Sequence, residues 1–254
     1  MWPAEEIWEC VSPSVPGFTA EILPEIDSTN SELMRRARKG QLDPILLVAE
    51  RQTAGRGRMG RTWRKASDDL SFSIGLPVQV RDWSGLSLTV GVCLAQALHP
   101  AIRLKWPNDL WWQGRKLAGV LIETTTVGDA RYAVIGVGIN IGPQDAAGLS
   151  TPPAWLGELI TGIDAPAALL RTVPALFDGL GRFNADGFAP FQGAFHALDA
   201  LYGQAVTLSD GSHGDAQGVD ARGALLVHTP TGVRHIDSTE VSVRPSRTMS
   251  SCSG

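Results

Sequence analysis

Cysteine is scarce in this sequence, and its few copies lie far apart. The 254 residues include only Cys10, Cys93 and Cys252, and no Cys-x-x-Cys spacing occurs. A disulfide framework and a cysteine-rich zinc site are therefore excluded. The five histidines also lack the spacing typical of metal ligands, so no protein-made metal site is predicted.

Long apolar runs and basic stretches are missing as well. No apolar run approaches the length that crosses a bilayer, and no basic N-terminal region is followed by an apolar core, as a secretory signal would require. We therefore expect a cytoplasmic protein with no membrane partner. The formal net charge of −4 gives no generic attraction to nucleic acid.

Lysine is rare too, because only four of the 22 basic residues are lysines, and all four lie in the first half of the chain. Arginine excess can simply reflect genomic base composition. Two of the four, Lys105 and Lys116, lie within unusual motifs and become candidates for chemistry.

The chain divides into a large mixed part and a small β-rich part. A length of 254 residues and an apolar content of 43% suit one large domain with a smaller one behind it. Thr29 and Glu32 form a capping-box pattern, which predicts a helix that ends near Gly40. The remaining patterns predict strands at 45–50, 70–77, 102–105, 116–123 and 132–139, and helices at 86–98, 165–184 and 190–200.

From about residue 201 the pattern changes to short β runs separated by turn residues. These runs predict a small barrel and lie at 205–208, 218–220, 224–228, 233–237 and 241–244. We place the domains at 1–200 and 201–246, followed by a disordered tail at 247–254. Residues 1 to about 22 are interrupted by prolines and are predicted to be a lead-in without a pair of helices.

The segment from Gly55 to Arg61, GRGRMGR, is the most informative in the chain. Glycines let a backbone approach a ligand closely, and guanidinium groups bind phosphates and carboxylates bidentately. The segment is therefore predicted to hold a small anion. Its glycine spacing also fits the dinucleotide pattern G-x-G-x-x-G, but a polar loop and a strand follow instead of an apolar helix. A merely solvated charged loop is the other alternative.

Three further segments could each be explained as ordinary local structure when they are considered separately. Lys105-Trp106-Pro107-Asn108-Asp109 could be an ordinary surface turn. The strand from Lys116 to Glu123 could simply begin with a solvated lysine at a sheet edge. The run from Gly136 to Asn140 could be a bend.

Taken together and in order, these motifs resemble the biotin–protein ligase family. The matching stretches are DSTN, Q-x-x-GRGRxGR-x-W, KWPND, KLAG and G-x-GIN, and the resemblance extends from Asp27 to about Arg244. It implies an α/β (α+β) catalytic domain with a mixed sheet, like that of class II aminoacyl-tRNA synthetases, and a C-terminal SH3-like β-barrel. It also implies that ATP activates biotin as biotinyl-5′-AMP, and that the biotinyl group then passes to a lysine of a biotin carboxyl carrier protein.

The resemblance assigns roles to individual residues. It places the biotin site at Ser28, Thr29, Asn30, Gln52, Gly55, Arg56, Gly57, Arg58, Lys116 and Gly119. It places the nucleotide site at Arg56, Trp63, Asn108, Asn140 and Trp155, with Trp155 covering the adenine after a mobile loop at about 142–154 closes. Lys116 and Arg58 are implied to be catalytic, and Asp109 is the candidate that takes a proton from the acceptor lysine. ATP implies Mg²⁺, held through phosphates and water.

Other functions are weighed against this one. A lipoate–protein ligase or octanoyl transferase would not carry KWPND together with GRGRxGR in this form. A biotin-dependent repressor would need a helix-turn-helix, so we expect no DNA partner. A nonenzymatic biotin-binding module would not need cations at an activated phosphate. The oligomeric state stays open between a monomer and a homodimer.

Overall fold

The computed structural model describes residues 1–63, 69–80, 82–146 and 151–237, together with the backbone of residues 244–245. Its α-helices are α1 (Ala4–Val11), α2 (Thr29–Arg38), α3 (Leu86–Leu98), α4 (Ala165–Asp186) and α5 (Gln192–Leu198). Its strands are β1 (Thr19–Ile26), β2 (Ile45–Gln52), β3 (Leu70–Pro77), β4 (Arg103–Lys105), β5 (Asp109–Trp112), β6 (Arg115–Val127), β7 (Ala130–Ile139), β8 (Ala205–Thr207), β9 (His213–Val219), β10 (Leu225–Thr229), β11 (Gly232–Ile236) and β12 (Arg244–Pro245).

The first seven strands form one mixed sheet. Their order is β1-β2-β3-β7-β6-β5-β4; β1 and β2 run parallel, and every other neighbouring pair is antiparallel. The predicted mixed-sheet α/β domain is thereby confirmed. The glycine-rich segment leads into a short 3₁₀ turn at Arg58–Gly60 and then towards β3. A dinucleotide-binding helix is therefore absent after this motif, among the residues that the structure describes.

Helices cover both faces of this sheet, because its strands alternate between two apolar clusters. Leu46 and Val48 of β2 pack into the large cluster that contains α3 and α4. Their neighbours Ile45 and Leu47 point the other way and join the smaller cluster beneath α2. Period-two alternation of side chains produces both faces from one strand. The α2 face then carries the polar groups described below.

The strands after residue 201 form a second, antiparallel sheet in the order β11-β10-β9-β8-β12. This confirms the predicted β-rich C-terminal part. The turn between β9 and β10 contacts the first part of the chain: the buried Trp106 donates from Nε1 to the carbonyl oxygen of Gly223 at 3.1 Å. A Cβ at Gly223 would meet the backbone of Gly85, so the two backbones touch at the start of α3.

Some local structure was not predicted from the sequence. The proline-interrupted lead-in holds helix α1, which buries Ile7 and Val11, and the beginning of β1. The end of the KWPND motif is not a plain surface turn, because Asp109 opens β5 and β5 pairs with β6. A tight turn at Gln113 and Gly114, both at positive φ, joins the two strands. Two positive-φ residues are the signature of a type I′ hairpin.

The proposed tail at 247–254 and most of the predicted strand at 241–244 lie outside the described residues, although Arg244–Pro245 pairs with β8. No helix in the described part of the chain is long and apolar enough to cross a membrane.

Candidate active site

The site lies on the α2 face of the sheet, above glycines of β6 and β7. Gly119 pairs with Gly138, and Leu121 pairs with Gly136. A Cβ at Gly136 would overlap the side chain of Asn30, and a Cβ at Gly138 would overlap the indole of Trp63. The G-x-G pattern therefore leaves room for side chains from distant loops to lie flat on the sheet.

The N-terminus of α2 forms one wall of the site. Ser28 caps the helix, since its Oγ accepts from the backbone of Ser31 at 3.4 Å. The carboxamide oxygen of Gln52 accepts from the backbone of Thr29 at 2.9 Å and lies 3.2 Å from its hydroxyl. Ser73 Oγ lies 2.7 Å from Thr29 Oγ1 and 2.6 Å from Asn30 Oδ1. Ser28, Thr29, Asn30 and Ser73 are buried, so hydrogen bonding fixes the orientation of their side chains.

The arginines of GRGRMGR point in two directions. Arg56 pairs with Glu123 on β6, with Nη1 at 2.9 Å from Oε1. The same carboxylate accepts from Asn30 Nδ2 at 3.1 Å, which links Arg56 to the α2 wall. Arg58 donates to Asn108 Oδ1 at 3.3 Å, and partial burial lowers the pKa of its guanidinium below the ordinary value. Arg58 still stays charged at any physiological pH.

Gly55 and Gly57 shape this loop. The backbone oxygen of Gly55 accepts from Trp63 at 2.9 Å, and a Cβ at Gly55 would come within 2.6 Å of the carbonyl oxygen of Trp63. Gly57 donates to the carbonyl of Arg61 at 2.7 Å. The glycines therefore fold the segment back on itself beside β3 and carry Trp63 onto the sheet.

Lys116 and Asp109 form an ion pair at the centre of the site. Lys116 Nζ lies 2.7 Å from Asp109 Oδ1, and the two side chains keep only 32% and 16% of their surface exposed. Trp63 lies against the lysine, whose Nζ is 5.5 Å from the ring centroid. A Cβ at Gly119 would come within 3.2 Å of the same Nζ. The KWPND and KLAG motifs therefore meet through the β5–β6 hairpin.

Two asparagines brace the backbone around this pair. Asn108 donates from Nδ2 to the carbonyl of Val120 at 2.8 Å. Asn140 is buried, and its Nδ2 donates to the carbonyls of Lys116 at 3.2 Å and of Ala154 at 2.8 Å. The side-chain amide hydrogens of Asn140 are thus already engaged with the protein.

Trp155 stands at the far end of the site and is fixed by its neighbours. The backbone of Leu156 donates to the carbonyl of Asn140 at 2.8 Å, and that of Ala154 donates to the carbonyl of Lys116 at the same distance. The predicted mobile loop at 142–154 falls partly on residues 147–150, which lie outside the described residues. Its last residues run beside the start of β6, where Pro153 forms an isolated bridge with Lys116, so backbone hydrogen bonds hold the residues on both sides of Trp155.

Several residues of the site escaped the sequence interpretation. Ser73 and Glu123 join the polar wall, and Arg115 and Glu158 hold Trp155. Asp69, which is buried, accepts from the backbone of Ile141 at 2.9 Å and from Gln144 at 2.8 Å. Glu123 carried a usable signal, since alternation from Gly119 along the same strand places it on the same face. The others come from segments with no motif.

The described residues contain no group of three or more histidine, cysteine, aspartate or glutamate side chains that could hold a metal ion. Cys93 lies in the core between α3 and α4, where burial raises the pKa of its thiol to about 11. A thiol with a raised pKa is a poor nucleophile. The chemistry therefore falls to the cations, the amides and Asp109.

Cations and amides around a glycine-lined floor are what an enzyme needs to join a carboxylate to a phosphate, and they define the class of an acyl-activating ligase. The bifunctional ligase/repressor BirA of Escherichia coli is 35% identical over 245 residues, which cover 90% of this chain and 75% of that protein. The chain belongs to the biotin protein ligase family.

Other comparisons agree with this membership. The Biotin/lipoate A/B protein ligase family matches residues 23–140, and the Biotin protein ligase C terminal domain matches residues 202–244. The biotin–[acetyl-CoA-carboxylase] ligase of Paracoccus denitrificans is 33% identical over 237 residues, covering 87% of this chain and 98% of that protein. The Aquifex aeolicus biotin protein ligase in complex with biotin and ATP superposes with a TM-score of 0.76 at 30% identity, covering 89% of this chain and 99% of that one.

Proposed function

We propose that this enzyme activates biotin with ATP and transfers the biotinyl group to one lysine of a biotin carboxyl carrier protein. The observation that carries this proposal is the Lys116–Asp109 pair, 2.7 Å apart, on a glycine floor beside the hydrogen-bonded α2 wall. The α2 wall suits a neutral polar ring, and the Lys116–Asp109 pair suits the charge that develops during the reaction. Family membership and relatives solved with biotin and ATP support the same reaction.

The α2 wall is the proposed biotin subsite. Ser28, Thr29, Asn30 and Gln52 offer hydroxyls and amides, which match the donors and acceptors of a ureido group. Ser73 fixes the orientation of Thr29 and Asn30 from beneath. The glycines of the floor, with Gly55, Gly57 and Gly119, admit the bicyclic ring and its side chain close to the sheet.

Adenylation then takes place around Lys116. A carboxylate oxygen of biotin attacks the α-phosphorus, the bond to the bridging oxygen breaks, and pyrophosphate leaves. Negative charges converge in this step, so Lys116 and Arg56 stabilise the transition state electrostatically, and Arg58 holds the phosphate of the biotinyl-AMP that forms. Asn108, Asn140, Trp63 and Trp155 are proposed to lie near the nucleotide. Asn140 would act by bracing Lys116, because its side chain already donates to the carbonyl of that residue.

At this site Mg²⁺ would be bound by the phosphates of the substrate and by water, and not by a set of protein ligands. No cluster of three acidic or histidine ligands is present among the described residues. Phosphate oxygens and water are the usual Mg²⁺ ligands at nucleotide sites. When bound, the ion would neutralise charge on the polyphosphate.

Transfer to the carrier protein requires a neutral amine. Asp109 is the proposed acceptor of the proton from the carrier's lysine, after which the amine attacks the carbonyl carbon of the mixed anhydride and AMP leaves. Asp109 is mostly buried, with 16% of its side chain exposed. Its Oδ1 lies 2.7 Å from Lys116 Nζ, so the proposed proton acceptor stands beside the proposed site of adenylation.

We also propose finer features of the architecture, the partners and the location. The C-terminal antiparallel sheet supports an SH3-like barrel at 201–246, and the mixed sheet supports kinship with class II aminoacyl-tRNA synthetases. The net charge of −4 supports the absence of a DNA partner. A cytoplasmic location follows from the need for ATP and for a carboxylase carrier. A homodimer remains the alternative to a monomer.

The test is a biotinylation assay with an isolated biotin carboxyl carrier domain. The protein, Mg²⁺-ATP, biotin and the carrier domain are incubated, and intact-mass spectrometry looks for one added biotinyl group. A carrier whose target lysine is replaced by arginine is the control. Lipoate in place of biotin tests the neighbouring substrate class. Modification with lipoate but not with biotin would overturn the proposal.

A further inference from the structure

Arg115 lies at the start of β6, directly before Lys116, and its side chain contacts one carboxylate and two aromatic rings. Its Nη1 donates to Glu158 Oε1 at 2.9 Å and its Nη2 to Glu158 Oε2 at 2.6 Å, which is a bidentate pair. The guanidinium carbon also lies 4.9 Å from the ring centroid of Trp112 and 5.9 Å from that of Trp155. Arg115 is therefore stacked between two indoles.

Apart from the contact with Trp112, these contacts converge on the segment around Trp155. Arg115 Nη1 reaches the carbonyl of Pro153 at 3.3 Å, and Glu158 accepts from the backbone of Trp155 at 3.2 Å. The side chains of Arg115 and Glu158 keep 26% and 18% of their surface exposed, so water screens the pair only in part. The arginine thus contacts the ring of Trp155, and the carboxylate with which it pairs accepts from the backbone of the same residue.

We propose that Arg115 is a positioning residue for the nucleotide, because it fixes the indole of Trp155 in the orientation that receives the adenine. This inference rests on the proposed function, in which Trp155 covers the adenine. It goes further by assigning the orientation of Trp155 to one neighbouring side chain. Contacts that restrict an indole reduce the ordering entropy that it loses when a ligand binds.

An arginine is the side chain that such a task requires. Its planar fork pairs with a carboxylate through two parallel hydrogen bonds while its flat faces stack on aromatic rings. Lysine has no flat face and holds a carboxylate as a point charge. An ordinary exposed ion pair would contribute little, but this pair transmits its geometry to one indole.

The proposal is tested by steady-state pyrophosphate release from the full-length enzyme. Arg115→Ala should raise KM for ATP about tenfold, as expected when binding interactions of this kind are lost, and should leave KM for biotin within about twofold of wild type. Arg115→Lys should recover only part of the loss. Glu158→Gln removes the charge of Arg115's partner but keeps its shape. It should raise KM for ATP less than Arg115→Ala does, and it keeps the test informative if Arg115→Ala folds poorly.

Two further variants separate positioning from general stability. Arg36→Ala is the matched control, because Arg36 is similarly exposed and pairs with Glu21 and Glu32 on α2. It should leave KM for ATP unchanged. Adding Arg115→Ala to Trp155→Ala should raise KM for ATP by less than about twofold, since both changes remove the same platform.

The possible results distinguish a failure of the inference from a failure of the proposed function. An unchanged KM for ATP in Arg115→Ala, an equal rise in KM for both substrates, or full additivity with Trp155→Ala would overturn the inference while leaving the reaction intact. Absence of biotin-dependent pyrophosphate release from the wild-type protein would instead overturn the proposed function, and the inference with it.

Discussion

Asp199 should make the protein less stable at neutral pH than an uncharged side chain would. It lies in the connection between the two sheets, just after α5, with Oδ1 accepting from the backbone of Leu201 at 2.8 Å. Its Oδ2 is buried and has no hydrogen-bond partner. Burial raises the pKa of Asp199 to about 6, opposed by the Leu201 hydrogen bond and by the proximity of His196.

The sign of the pH effect follows from this raised pKa. Between the ordinary value, about 3.9, and the folded value, the folded protein holds this proton more tightly than the unfolded chain does. The free energy of unfolding therefore falls as the pH rises through this window. A rise of the pKa from about 3.9 to about 6 corresponds to at most about 3 kcal/mol.

Asp199→Asn isolates this effect, because Asn keeps the Oδ1 acceptor and cannot ionise. The difference in free energy of unfolding between variant and wild type should grow by about 2–3 kcal/mol in favour of Asn from pH 4 to pH 7. Urea unfolding at several pH values, followed by circular dichroism, measures this difference, and all other titrating groups cancel in it. A difference that stays flat across this range would refute the reasoning.

Three further predictions concern the site itself. Lys116→Ala should slow biotin-dependent pyrophosphate release by a hundredfold or more, about 3 kcal/mol, whereas the exposed Lys39→Ala should not; a loss below about threefold would contradict the role of Lys116. Arg58→Gly should leave adenylation largely intact but release biotinyl-AMP, seen as labelling of bystander proteins by streptavidin blot; labelling confined to the carrier would refute this. Gly136→Ala should displace Asn30 and weaken biotin binding, as measured by calorimetry. Gly181→Ala is the control and should bind biotin normally, because a Cβ added at Gly181 meets no atom within 4 Å. Equal affinities of the two variants for biotin would show that Asn30 is not needed.

The sequence predicted the elements whose local pattern is strong. Helix α3 spans Leu86–Leu98 as expected, because this mostly apolar segment has no helix breaker except Gly91 and suits a buried helix. Strand β3 and the hairpin β6–β7 were equally clear. The family motifs could also be placed on one face, and the structure brings KWPND and KLAG together as Lys116 and Asp109.

Other features depend on contacts between distant residues. Helix α1 is short and flanked by prolines, and it forms because Ile7 and Val11 find an apolar surface against α4 and β1. Glu123 meets Arg56 across 67 residues of sequence, and Trp106 meets Gly223 across 117. No local propensity encodes such pairs. The β5 strand was not predicted, because its turn, Gln113-Gly114, is not one of the Asn-Gly or Asp-Gly dipeptides that signal a hairpin.

The two ion pairs of the site have a consequence for which anions it accepts. Lys116 and Arg56 each have a carboxylate of the protein as an internal counter-ion, Asp109 and Glu123 respectively. A free phosphate ion must displace one of these built-in counter-ions and gains few contacts in return. Biotin and a triphosphate together can replace both at once. We therefore expect the protein's own carboxylates to compete with common cellular anions for Lys116 and Arg56, and to pair with these cations again when the products leave.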